Sequence, residues 1–162
     1  MKLNERARTA LLAEAEGVSD DNLNKQPAED RWSMKQILEH LYLMEGTIAK
    51  IIKHQLEEGE ERETSDRPIE LTVNRSKKVE APDFLQPSSD YAGLDDLVRK
   101  LEASHKQLAE IVLMADEQAL KERIYPHPEF GQLSLEQWIP FLAYHEMRHT
   151  EQIKEVKQAL NL

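Results

Sequence analysis

The segment WSMKQILEHL, residues 32–41, decides the fold. Ser33 stands where a helix N-cap is expected, and Gln36, three residues on, completes a capping box. Trp32 and Ile37 are placed as the two arms of a hydrophobic staple. Ile37, Leu41, Met44, Ile48 and Ile51 then recur at helical spacing, until the pattern fades in EEGEERE, residues 57–63. A long amphipathic helix therefore follows Ser33.

The same grammar returns in QLSLEQW, residues 132–138. There Ser134 and Gln137 form the expected box, and Leu133 with Trp138 the staple. The inward stripe continues through Leu142, Ile153, Val156 and Leu160, while Pro140 in the second turn removes a backbone hydrogen bond. Two more helices are read outward from these. One runs from Leu3 to Glu16, with Leu3, Ala7, Leu11 and Ala15 on a stripe. The other runs from Leu94 to Ala119, with Leu94, Leu97, Leu101, Leu108 and Val112 on one face. Turn residues and Pro27 interrupt the chain at GVSDDNLNKQPAEDR, residues 17–31. The expectation is an all-α four-helix bundle, one domain over residues 1–162.

The connection from Gly59 to Asp90 contains Pro68, Pro82 and Pro87, many charges and no sustained period. Loops of this length in a compact domain are uncommon and usually purposeful. At ~1.5 Å per residue the second helix is nearly 40 Å long, and a partly extended linker can run back along it. The second and third helices then point the same way, joined by a long crossover. The alternative is an unstructured acidic linker.

Composition narrows the function. The chain has 162 residues, a formal net charge of −10 and a pI near 5.1, so nucleic acid would repel it. With no cysteine, disulfides and thiolate metal sites are impossible. Only 5 glycines occur, which favours helices over a turn-rich β fold. The first residues are charged and amphipathic rather than a signal peptide, and no apolar run is long enough to span a bilayer. A cytoplasmic protein is expected, with neither nucleic-acid nor membrane partners.

His145 and His149, in HEMRH, are four apart and fall on one helical face within the inward stripe. His40 lies on the stripe of the second helix. Three histidines aimed at one core from two helices can supply three nitrogens to a metal and leave positions open. Single core histidines are more often satisfied by a neighbour than by a metal. That is the expectation for His105, with a fourth-ligand role as the alternative. His54 sits near a helix end, where its charge favours the dipole. His127 lies in a proline-rich loop that can border the pocket.

HEMRH also matches the H-E-x-x-H pattern of zinc proteases. The longer pattern requires Gly at position 152 and His at 155, where the chain has Gln152 and Glu155. A third ligand from a glutamate about twenty residues downstream is not expected, since the sequence runs only thirteen residues past His149, and no strand pattern is available to hold a peptide. Glu146, rotated about 100° from His145, reads as a solvated or outer carboxylate. Two E-x-x-H pairs, Glu102 with His105 and Glu146 with His149, suggest a di-iron bundle with Glu14 and Glu45 as single carboxylates. Both glutamates of those pairs flank the apolar stripes, and such pairs arise easily among 31 acidic residues.

Taken together, WSMKQILEHL, HPEFGQLSLEQW and HEMRHTEQI resemble the DinB-like superfamily of four-helix bundles, which includes YfiT-type proteins and bacillithiol S-transferase-like enzymes. The resemblance covers most of the chain. It implies an up-down-down-up bundle, a divalent ion such as Zn or Ni on His40, His145 and His149, and a homodimer. It also implies transfer of a low-molecular-weight thiol, or a related hydrolysis, on a small-molecule substrate. The catalytic residues are not identified by it. The Gly59 to Asp90 connection is the expected cover of the pocket, with Tyr42 and Tyr144 as polar contacts. The alternative is a non-catalytic dimer with a structural or sensory metal site.

Overall fold

The computed structural model describes residues 1–76 and 79–162. Four long helices carry it: α1 (Lys2–Ala15), α3 (Met34–Glu58), α4 (Leu94–Met114) and α6 (Leu135–Leu160). Two short helices, α2 (Asp20–Asn24) and α5 (Glu117–Glu122), and a hairpin of β1 (Ile124–His127) and β2 (Gly131–Ser134) fill the connections.

The start of α3 forms as expected. Ser33 Oγ accepts from the Gln36 N–H, and the Gln36 side-chain oxygen accepts in return from the Ser33 N–H. At α6 only half of the expected box forms. Ser134 accepts from the Gln137 N–H, but the Gln137 amide donates instead to the Arg67 carbonyl at 3.2 Å. Gln137 thus ties the crossover to α6 rather than closing its own cap.

Cross-helix contacts give the topology. Asn4 reaches the Ile139 carbonyl, Arg8 reaches Glu146 and Lys157 reaches Glu14, so α1 and α6 run parallel. Lys100 lies over Tyr42, Ser104 and His105 bond Glu45, and Leu108 packs with Ile48 and Ile52; α3 and α4 are parallel too. Arg8 meets Glu45 while Leu11 and Ala15 pack with Met34, Leu38 and Leu41, so α1 opposes α3. The bundle is up-down-down-up. The crossover that this order demands runs from 59 to 93 and carries 3₁₀ turns at Ile69–Val73 and Asp83–Leu85. Lys77 and Lys78, inside it, lie outside the described residues.

Two apolar clusters stack along the axis. One joins Ile48, Ile52, Leu108, Leu133, Trp138 and Phe141; the other joins Leu11, Leu23, Met34, Ile37, Leu97 and Ile153. Burial of these side chains supplies the main driving force. Three features differ from expectation. The third helix ends at Met114 rather than Ala119, because Asp116 caps a new helix by accepting from the Ala119 N–H. Leu3 is only partly buried, the inner positions of α1 being Asn4, Ala7, Arg8, Leu11 and Ala15. A hairpin stands where no strand was expected: its three-residue turn needs the left-handed Gly131, φ +72°, before β2 leads into α6.

Candidate metal centre

His40 sits in the second turn of α3, and His145 and His149 occupy successive turns of α6, which runs antiparallel to it. Because the capping box and staple fix where α3 begins, His40 faces α6. His40 and His149 are buried, and His145 is partly so. The Nε2 of His145 lies 3.4 Å from that of His40 and 3.2 Å from that of His149. One ligand nitrogen from each of the three falls within 4.8 Å of the others.

The outer nitrogens fix the tautomers. His40 Nδ1 is 2.9 Å from the Leu85 carbonyl, which can only accept, so Nδ1 carries the proton and Nε2 presents a lone pair. His149 Nδ1 is 2.8 Å from the Gln152 side-chain oxygen, with the same result for its Nε2. His145 can donate from Nε2 to one of these neighbours only, so lone pairs oppose each other across the remaining contact.

A cation removes that conflict. Nitrogens bound ~2.0–2.1 Å from a tetrahedral zinc ion stand ~3.3–3.4 Å apart, and the observed separations are 3.4 and 3.2 Å. The residues fit a single divalent ion. Among the described residues, no fourth His, Asp or Glu completes the group.

Electrostatics keep the rings ready to ligate. Burial pushes His40 below the ordinary histidine range, opposed by its Leu85 bond. Burial and then the charge of His40 take His149 down to about 3. His145 is held well below its usual value by burial, then by His149 and His40, with Arg148 adding to the effect. All three are neutral near pH 7, the form that binds metals.

Aromatic walls enclose the cluster. Trp32 lies 5.1 Å from His40 and stacks on His149 at 6.3 Å, while Phe141 stacks on His145 at 5.8 Å. The crossover borders the same site: Leu85 contacts His40, and Arg148 donates to the carbonyls of Thr72 and Asn74. Ser88 holds Glu39 and Lys35 at the start of α3.

Other candidates lie elsewhere. Glu146 is neither solvated nor turned to the histidines; it is buried, with its Oε1 2.7 Å from Arg8 Nε. Glu45 accepts from Arg8, Ser104 and His105, which places His105 in a buried polar cluster. Glu14 pairs with Lys157 and Glu102 is exposed, so the two-metal constellation is not assembled. Tyr42 turns to Glu39 and Lys100, away from the triad, and Tyr144 packs against the apolar cluster of Ile48 and Trp138. His54 is exposed. His127 accepts from the Glu129 and Phe130 N–H groups and sits among Phe130, Trp138 and Phe141; burial lowers it to about 4.

Three neutral histidines held between antiparallel helices of an up-down-down-up bundle define a class: helical bundles with an intramolecular three-histidine centre. The chain belongs to the DinB superfamily, whose model matches residues 3–153. It is 32% identical to the uncharacterized protein YuaE of Bacillus subtilis strain 168 over 160 residues, 99% of this chain and 98% of that one. Two solved structures share the fold. TT2238, a four-helix bundle protein, superposes with a TM-score of 0.65 at 23% identity, covering 95% of this chain and 94% of that one. YfiT from Bacillus subtilis is described as a probable metal-dependent hydrolase with an unusual four-helix bundle topology. It gives a TM-score of 0.64 at 17% identity, covering 99% of this chain and 85% of that one.

Proposed function

We propose that the chain is a metal-dependent enzyme that activates a small nucleophile, water or a low-molecular-weight thiol, against a small-molecule electrophile. The observation that carries this reading is the convergence of three neutral histidine Nε2 atoms, two of them with the ring proton held on Nδ1, and among the described residues no fourth His, Asp or Glu joins them. Structural zinc sites close with four protein ligands, whereas catalytic sites hold three and keep a position open. Description of YfiT as a probable metal-dependent hydrolase supports the same reading.

His40, His145 and His149 would hold one divalent ion, Zn or Ni. Such an ion would lower the pKa of a bound water to near neutrality and hold a bound thiol as its thiolate. The rest is the work of the chain. The Leu85 carbonyl and the Gln152 amide hold the protons of His40 and His149 on Nδ1, which leaves Nε2 basic. Trp32 and Phe141 exclude water from two sides of the cluster. The assembly proposed with this activity is a homodimer.

The test uses tag-free protein reconstituted with Zn or Ni and assayed in two ways: hydrolysis of activated esters and amides, and transfer of bacillithiol or cysteine to a bimane electrophile. Metal-dependent turnover in either assay, abolished in His145→Ala, supports the proposal. A stoichiometric but inert ion that survives excess chelator would favour a structural site instead.

A further inference from the structure

Beside the triad lies a second buried cluster that the metal reading does not use. Arg8 of α1 is 7% exposed, Glu45 of α3 4% and Glu146 of α6 5%. The guanidinium grips Glu146 at two points, Nε to Oε1 at 2.7 Å and Nη2 to Oε2 at 3.3 Å. Its Nη2 also donates to Glu45 Oε2 at 2.9 Å, and its Nη1 donates to the Leu101 carbonyl of α4. Ser104 and His105 of α4 complete the shell of Glu45. One side chain thus joins all four long helices.

Stability does not explain such a group. Desolvating a guanidinium and two carboxylates is expensive, and apolar replacements of buried ion pairs are often neutral or stabilising. What a buried, forked, multiply bonded arginine adds is geometry. Glu146 directly follows His145, and Glu45 follows His40 by five residues, little more than one turn. The two helices that supply the triad are therefore cross-braced by one guanidinium within about one to two turns of the triad. Separations of 3.2 and 3.4 Å between ligand nitrogens leave only tenths of an ångström of tolerance.

We propose that Arg8, acting through Glu45 and Glu146, is the positioning residue that sets the separation and rotation of α3 and α6 so that His40 meets His145 and His149 in metal-binding geometry. The inference rests on the metal reading above.

Co(II) is the probe, followed by its d–d absorption and by competition with a chromogenic chelator. Three variants are compared with wild type. Arg8→Lys keeps the charge and loses the fork. The triple variant Arg8→Met, Glu45→Gln, Glu146→Gln removes the whole ionic group. Lys157→Met removes another α1–α6 contact, to Glu14, away from the triad. Arg8→Lys and the triple variant should stay folded, bind Co(II) at least about tenfold more weakly, and show a changed d–d spectrum. Lys157→Met should leave affinity and spectrum unchanged. Wild-type affinity and spectrum in the folded triple variant would overturn the proposal. If the triple variant does not fold, the same result in Arg8→Lys would overturn it. Wild-type protein that takes up no Co(II) would refute the metal reading and this inference together, an outcome distinct from loss confined to the variants.

Discussion

The Nε2 atoms of His40 and His145 lie 3.4 Å apart although 105 residues separate them in the chain. The approach needs α3 and α6 to be neighbours in opposite directions, which the crossover between α3 and α4 makes possible.

Gln152 accepts the His149 Nδ1 proton at 2.8 Å. Replacing it by Leu keeps the helix but removes the partner that orients the ring, and Zn affinity should fall about 10–100-fold. Gln152→Glu, with a stronger acceptor, should retain or raise affinity. Chelator competition measures both.

Acid should destabilise the fold below neutrality. The folded-state values of His149 (about 3), His127 (about 4), His145 and His40 all lie below the unfolded value of 6.5. A group lowered on folding takes up its proton when the chain unfolds, so stability is full above 6.5 and is lost as pH falls towards the folded values. Near pH 5, His149 alone should contribute a slope of about 1.4 kcal/mol per pH unit. Urea midpoints of chelator-treated protein between pH 7.5 and 5 should fall, and His149→Leu should reduce the slope by about one proton.

Arg148 holds the crossover by donating to the carbonyls of Thr72 and Asn74, while Arg75 reaches back to Glu155 at 2.7 Å. Arg148→Met should release this segment. Hydrogen exchange in residues 69–75 should accelerate about tenfold or more, equivalent to losing ~1.5 kcal/mol of local stability, with the centres of α3 and α4 unaffected.

Trp32 stacks on His149 at a centroid distance of 6.3 Å. Co(II) or Ni(II) in the cluster should quench its fluorescence. Trp32→Phe should remove the larger share of the metal-dependent quench, with Trp138 supplying the remainder.

Much of the fold was legible because helix starts and stripes are local. Ser33 with Gln36 marks α3 from four residues, and the charged, proline-punctuated stretch after Gly59 marks the crossover. The hairpin was not legible: IYPH and GQLS are four residues each, too short to show alternation, and what sets them is Gly131 and packing on Trp138. Helix α4 was read past its end because 115–119 contains good helix formers and only the Asp116 cap breaks the run.

The meeting of His40, His145 and His149 followed from helical spacing, but their partners did not. Leu85 contributes a backbone carbonyl, which no residue pattern announces. Gln152, three residues from His149 on the same face, could have been found by the helical rule. Arg8 sits beside Ala7 and Leu11 on the inner side of α1, where a charged residue normally marks a solvated edge. Only the facing Glu45 and Glu146 make its burial intelligible.

Metal content measured by elemental analysis tests the central claim most directly, on tag-free wild-type protein, His40→Ala and His149→Ala, each reconstituted with Zn and desalted. The account predicts about one ion per chain in wild type and loss of the ion in both variants, since α3 and α6 each supply ligands to one site. Wild-type protein without metal, or His40→Ala that keeps its full complement, would contradict it.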